Sequence, residues 1–145
     1  MYVDTTPIGT IDSVNIINGN QLMYKNNLLT VWEETPLSYL NTGEHMFYEC
    51  NLTSFSSDLS SLTVGEYMFG YCKNLTTFTS NLPSLTNGRY MFQECSKLTT
   101  FDIALPSLNN GYAMFKGCSS LVSFKSNLCS LTNGDYMFTG CKLDQ

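Results

Sequence analysis

The chain has 145 residues, 43% of them hydrophobic and 13% aromatic, a composition that supports one folded unit with a real core and excludes a disordered chain. Only 13% are charged, and Ser, Thr and Asn fill the gaps between apolar residues, so the surface is expected to be neutral and hydroxyl-rich. A net charge of −5 without any Lys or Arg cluster excludes the footprint of a phosphate backbone or an anionic membrane, so no nucleic acid is expected as a partner. No apolar run approaches the roughly 18 residues that suggest a spanning helix, so no membrane insertion is expected either.

The N-terminal string Met1-Tyr2-Val3-Asp4-Thr5-Thr6-Pro7 carries neither a basic region nor an apolar one, so no secretory signal is legible in it. Residues 1–19, with Ile11, Val14, Ile16 and Ile17 before Asn18-Gly19, are expected to form a strand or hairpin that caps the fold. Residues 20–42 read as a degenerate capping repeat in which Asn20 takes a glycine place and Asn27 a cysteine place, around Met23-Tyr24, Leu29, Trp32 and Leu37-Ser38-Tyr39-Leu40.

From residue 43 to 145 the repeat is plain: four full copies and a partial fifth. Segments that begin at Gly43, Gly65, Gly88, Gly111 and Gly134 follow at intervals of 22, 23, 23 and 23, each opening Gly-x-x-Met-Phe-x-x-Cys. The unit continues Leu-x-x-Phe and then Leu-x-Ser-Leu, as in Leu75, Phe78 and Leu82-Pro83-Ser84-Leu85. These apolar residues recur once per unit, with neither the period of a long helix nor that of a conventional sheet. No unit buries Met, Phe, Cys, Leu, Phe, Leu and Leu alone, whereas stacked units bury them in columns. The expected fold is therefore a leucine-rich-repeat-type solenoid of stacked 23-residue coils with short parallel strands and short helical turns.

Within a coil, a short strand is expected around Thr77-Phe78-Thr79, with Phe78 inward and its neighbours outward. A second extended piece is expected over Leu82 to Leu85. Met91 and Cys95, four apart, predict one or two helical turns over residues 88–95. Pairs such as Asn87-Gly88 and Thr42-Gly43 are read as sites of positive φ where the chain bends. The chain stops at Lys142-Leu143-Asp144-Gln145 soon after a repeat begins, which reads as a piece of something larger.

The string Met68-Phe69-Gly70-Tyr71-Cys72-Lys73-Asn74-Leu75-Thr76-Thr77-Phe78 resembles the BspA-like, or Treponema-type, leucine-rich repeats. The resemblance covers residues 43–141 well and 20–42 loosely, with Phe where many relatives have Ile. It implies a surface or secreted protein of host-associated bacteria, or a relative in protists or phages, with adhesive or ligand-binding roles that differ from member to member.

Chemistry is sparse. Cys50, Cys72, Cys95, Cys118 and Cys141 form a column, and Cys129 takes the place of Pro83 and Pro106. Stacked rungs about 4.8 Å apart hold Cβ atoms too far apart for disulfides, so a structural column of free thiols is expected. No Cys-x-x-Cys pair suggests a metal, and no cofactor is expected. His45, the single histidine, replaces Tyr67, Tyr90 and Tyr136, and the carboxylates scatter over repeat positions, so no catalytic residue is expected. Asn51-Leu52-Thr53 and Asn74-Leu75-Thr76 match a glycosylation pattern as by-products of the repeat.

What remains is surface. Flanking the inward aromatic run Val31, Ser54, Thr77, Thr100 and Ser123 on one side, and Glu33, Ser56, Thr79, Asp102 and Lys125 on the other. Ser54, Ser56, Thr77, Thr79, Thr100, Asp102, Ser123 and Lys125 on this strand face are the candidate binding residues, for a protein or glycan ligand. A second row is Glu44, Glu66, Arg89, Tyr112 and Asp135. The expected function is a non-catalytic binding or adhesion module, at a cell surface or outside the cell as part of a larger protein. The competing expectation is a structural component of a phage virion or extracellular assembly, self-associating through open coil ends.

Overall fold

A computed structural model describes residues 16–32 and 36–143 of the chain. Most of the expected N-terminal cap, including Ile11 and Val14, lies outside the described residues, as does Glu33. The rest is a stack of six coils joined by two parallel ladders, one broken into two separate strand pairs and one a continuous series of bridges.

The first ladder holds the inward aromatic residues. Strand β1 (Ser54–Phe55) pairs in parallel with β2 (Thr77–Phe78), Phe55 opposite Phe78. Strand β3 (Thr100–Phe101) pairs likewise with β4 (Ser123–Phe124), Phe101 opposite Phe124. The second ladder is a chain of single parallel bridges through Asn18, Thr42, Val64, Asn87, Asn110 and Asn133, each just ahead of a glycine. The expected strand is thus present at Thr77 and Phe78. The stretch from Leu82 to Leu85 is instead a tight turn, closed by Leu85 N–H on the Leu82 carbonyl at 3.5 Å, as Leu62 closes on Leu59 at 3.1 Å.

The expected helical turn is absent. Over residues 88–95 the amides alternate. Those of Met91, Gln93 and Cys95 bond three residues back, to Gly88, Tyr90 and Phe92, at 2.9–3.1 Å. Those of Gly88, Tyr90, Phe92 and Glu94 bond outward, to Asn110, Tyr112, Met114 and Lys116 of the next coil, at 2.7–3.0 Å. A helix would turn every amide onto its own segment; here half of them tie one coil to the next. The alternation is possible because Tyr90 and Glu94 adopt φ of 55° and 60°. The equivalent pairs His45 and Glu49, Tyr67 and Tyr71, Ala113 and Gly117, and Tyr136 and Gly140 do the same.

The glycines that open the repeat serve a different purpose from the one their turn chemistry suggests. Among the described glycines, positive φ is confined to Gly117 and Gly140. At Gly88 a Cβ would stand 3.0 Å from Met114 Sδ of the next coil, and at Gly65 the same distance from Met91 Sδ. From Gly19 to Gly111, each opening glycine makes room for the next coil's methionine.

The core is built in columns. Met68, Phe69, Cys72, Leu75, Phe78, Leu82 and Leu85, and their counterparts Met91, Phe92, Cys95, Leu98, Phe101, Leu105 and Leu108, are all buried. Phe69, Phe92 and Phe115 stack face to face, centroids 5.3–5.4 Å apart and planes within 3–5°. The strand phenylalanines meet them edge-on, Phe78 on Phe92 at 4.9 Å and 77°.

The hydrogen bonds shift the first coil by one residue from its expected alignment. Gly19 N–H bonds Thr42 O, as Gly43 N–H bonds Val64 O, so Gly19 and not Asn20 takes the glycine place. Buried Asn26, whose amide bonds Met23 O as the Cys50 amide bonds Phe47 O, takes the cysteine place instead of Asn27. Asn20 serves the neighbouring coil: its Oδ1 accepts from Thr42 Oγ1 and from the Glu44 amide at 2.9 and 2.8 Å.

Candidate binding surfaces

The parallel register sets the strand-face residues in two rows on either side of the buried phenylalanines. Ser56, Thr77, Thr79, Thr100, Asp102 and Lys125 are exposed, while Ser54 and Ser123 are half-buried. The hydroxyls just before this face are consumed internally, Thr76 Oγ1 donating to Thr53 O at 3.0 Å. By contrast, the side chains of Ser56, Thr79, Thr100, Asp102 and Lys125 take part in no hydrogen bond or ion pair among the described residues. Ser123 and Lys125 also line a recess of about 300 Å³ with Val122, Phe124, Phe138 and Leu143.

On the turn side a row of rings runs along the stack. His45 lies on Tyr67, centroids 4.7 Å apart, and Tyr67 on Tyr90 at 4.5 Å and 10°. The row turns edge-on at Tyr112, 71° from Tyr90, because Ala113 occupies the ring position of that coil and Tyr112 supplies its ring from one residue earlier. The second candidate row is partly knitted to itself: Arg89 bonds Glu66 at 3.2 Å, and its guanidinium lies 5.0 Å from the Tyr90 centroid and 5.6 Å from that of Tyr112. Burial lowers the pKa of His45 below its ordinary value, against the opposing pull of Glu66 and Glu44. The same cause, reinforced by Glu49, pushes Tyr48 up to about 12. These rings are the aromatic neighbours of the second candidate row, legible in the sequence because Tyr67, Tyr90 and Tyr136 recur two residues after a glycine.

The thiol column is structural. Each Sγ donates to a backbone carbonyl one coil earlier: Cys50 to Met23, Cys72 to Phe47, Cys95 to Phe69, Cys118 to Phe92 and Cys141 to Phe115, at 3.0–3.2 Å. Burial raises all five pKa values, Cys141 to about 11 and Cys50 to about 12, so they stay protonated and unreactive at neutral pH. Cys129 alone is exposed. Among the described residues no group of three His, Cys, Asp or Glu is placed to hold a metal, and no helix is long and apolar enough to cross a membrane.

A model of the family described as BspA type Leucine rich repeat region matches residues 40–145 in 6 copies. No curated protein and no solved structure matches the chain.

Proposed function

Because the chain belongs to the BspA-type leucine-rich repeat family, we propose that it is a non-catalytic binding or adhesion module that holds a protein or glycan against its strand face. Surface association and adhesion are common in this family, and they support a place at a cell surface or outside the cell, within a larger protein. The observation that carries the proposal is the set of unengaged polar side chains in and just after β1 to β4. Ser56, Thr79, Thr100, Asp102 and Lys125 stand exposed at the spacing of parallel rungs, with no internal partner among the described residues. Groups free of competing bonds have none to break on meeting a ligand, and the short side chains of Ser56, Thr79 and Thr100 have little rotamer freedom to lose.

The test is an array of purified extracellular proteins and glycans probed with the chain and with a double variant, Asp102→Lys with Lys125→Glu. Ligands retained by the parent and lost by the variant support the strand face; ligands bound equally by both reject it.

A second reading, assembly through coil ends, is favoured by the one-way sense of the turn-side hydrogen bonds. The amides of Gly134, Tyr136, Phe138 and Gly140, and the carbonyls of Asn18, Asn20, Leu22 and Tyr24, have no partner among the described residues. They match as donors and acceptors of one more junction between two copies. Light scattering over a wide concentration range decides: growth insensitive to reductant supports it, whereas a monomer throughout, or growth abolished by reductant through Cys129, rejects it.

A further inference from the structure

Between Gly43 and Gly134 the repeat is broken once. Cys50 and Leu52 enclose a single residue, Asn51, where Cys72 and Leu75, Cys95 and Leu98, and Cys118 and Leu121 each enclose two. Side-chain contacts locate the gap. Asn74 Nδ2 donates to Asn51 Oδ1 at 3.5 Å, and Lys97 Nζ donates to Asn74 Oδ1 at 3.1 Å, so Asn51, Asn74 and Lys97 form one column. The missing residue is therefore the counterpart of Lys73, Ser96 and Ser119. Asn51 spans the shortfall toward the preceding coil, its Nδ2 donating to Asn27 O at 2.7 Å.

At this junction lies a recess of about 330 Å³, lined by Glu49, Asn51, Tyr71 and Lys73. Tyr71 is the one aromatic residue in a column otherwise made of Lys25, Glu49, Glu94, Gly117 and Gly140. Its ring meets Tyr48 edge-on at 5.6 Å and 61° and has no stacked neighbour among the described residues. It also holds φ of 59°, a conformation that Gly117 and Gly140 supply at the same position of later coils. The Glu49 carboxylate is paired with Lys25 at 3.5 Å, so its charge is offset while lone pairs remain to accept from hydroxyls. Lys73 makes no ion pair among the described residues, and its Nζ lies 5.9 Å from the Tyr71 centroid.

We propose that this recess is a binding site for one sugar residue of a neutral glycan. The Tyr71 ring receives the apolar C–H face of the pyranose, Glu49 accepts from its hydroxyls, and Lys73 donates to its oxygens, with Asn51 closing the floor. An aromatic platform flanked by an acceptor in Glu49 and a donor in Lys73 fits an uncharged polyol, whose hydroxyls serve both; a free ammonium ligand would meet the Lys25 and Lys73 charges, and a carboxylate ligand brings no donor for Glu49. The site lies on the turn side and is separate from the strand face proposed above.

The full chain, labelled with nitrogen-15, is titrated with the methyl glycosides of galactose, mannose and N-acetylglucosamine in the millimolar range. The expected result is a saturable shift of amides in residues 49–51 and 71–73 with at least one of them. Tyr71→Gly and Lys73→Ser place in this coil the residues that later coils carry, so both variants keep the fold, and each weakens binding about tenfold or more. Inserting one serine between Cys50 and Asn51 restores the 23-residue spacing, fills the recess and abolishes the shifts. The strand-face charge reversal leaves them unchanged, which separates this site from that one. No saturable shift with any of the three glycosides, shifts that survive Tyr71→Gly, or shifts obtained only with N-acetylneuraminic acid or glycine would overturn the proposal.

Discussion

Two of the rows of aromatic rings along the stack obey different rules. The inner row, Phe47, Phe69, Phe92 and Phe115, repeats with centroids 5.3–5.4 Å apart and planes within 3–13°. The outer row begins with the same stacking, loses it at Tyr112, and reaches an exposed end at Tyr136. A buried ring displaced from its column would leave a void on one side and an overlap on the other, both costly in a close-packed interior. A surface ring displaced by one residue exchanges one partial contact for another with water close by. Regularity in this molecule is thus enforced by burial, and variation is tolerated where solvent takes up the difference.

The largest effect expected from that contrast is alkaline. A folded-state pKa raised above the ordinary thiol value of 9.0 means that the unfolded chain ionises first, so the contribution to stability is full below about pH 9 and is lost as pH rises toward about 11 for Cys141 and about 12 for Cys50. Melting temperatures followed from about pH 8 to about pH 11 should fall steeply, and a Cys95→Ala variant should blunt the fall; a flat profile would deny that the column is buried as thiols. Next, Phe92→Ala empties part of the inner row and should cost about 3–5 kcal/mol by urea denaturation. Gly88→Ala puts a methyl group against Met114 and should cost about 1–3 kcal/mol, and a double variant that also carries Met114→Ala should be less destabilised than the sum of the two single variants. Tyr90→Ala in the outer row should cost only about 1 kcal/mol, and a loss as large as that of Phe92→Ala would erase the distinction between the rows. Smallest of all, alkylation of native protein at neutral pH should label Cys129 alone and leave stability unchanged, as mass mapping of the modified peptides will show.

The sequence is most informative where neighbours are identical. The seven apolar places per coil, the inward Phe78 and the thiol column are read directly, because a column of equal residues implies its own packing. Three features escape for one reason: each is fixed by the adjacent coil. Residues 88–95 carry the four-residue spacing of a helix, yet half their amides are drawn to the coil that follows, and nothing local announces that. Gly88 looks like a bend and is a clearance for Met114. The first coil aligns through Gly19 because of a bond to Thr42, although the Asn18-Gly19 pair, matching Asn87-Gly88, was the available signal. The eight strand-face residues are legible as positions, and the structure adds which of them are unengaged. The recess beside Tyr71 has a single trace in the sequence, the one interval of 22 residues between opening glycines.

The clearance of each opening glycine for the methionine beyond it makes every junction in the middle of the stack interchangeable. Gly43 with Met68, Gly65 with Met91 and Gly88 with Met114 present the same fit. A gene that gains or loses one whole unit therefore creates no junction that the protein does not already contain, and length becomes a quantity selection can adjust without redesigning a core. Gain or loss of a single residue is a different event: it dents the outline at one place and leaves the columns intact, as the short spacing after Cys50 does.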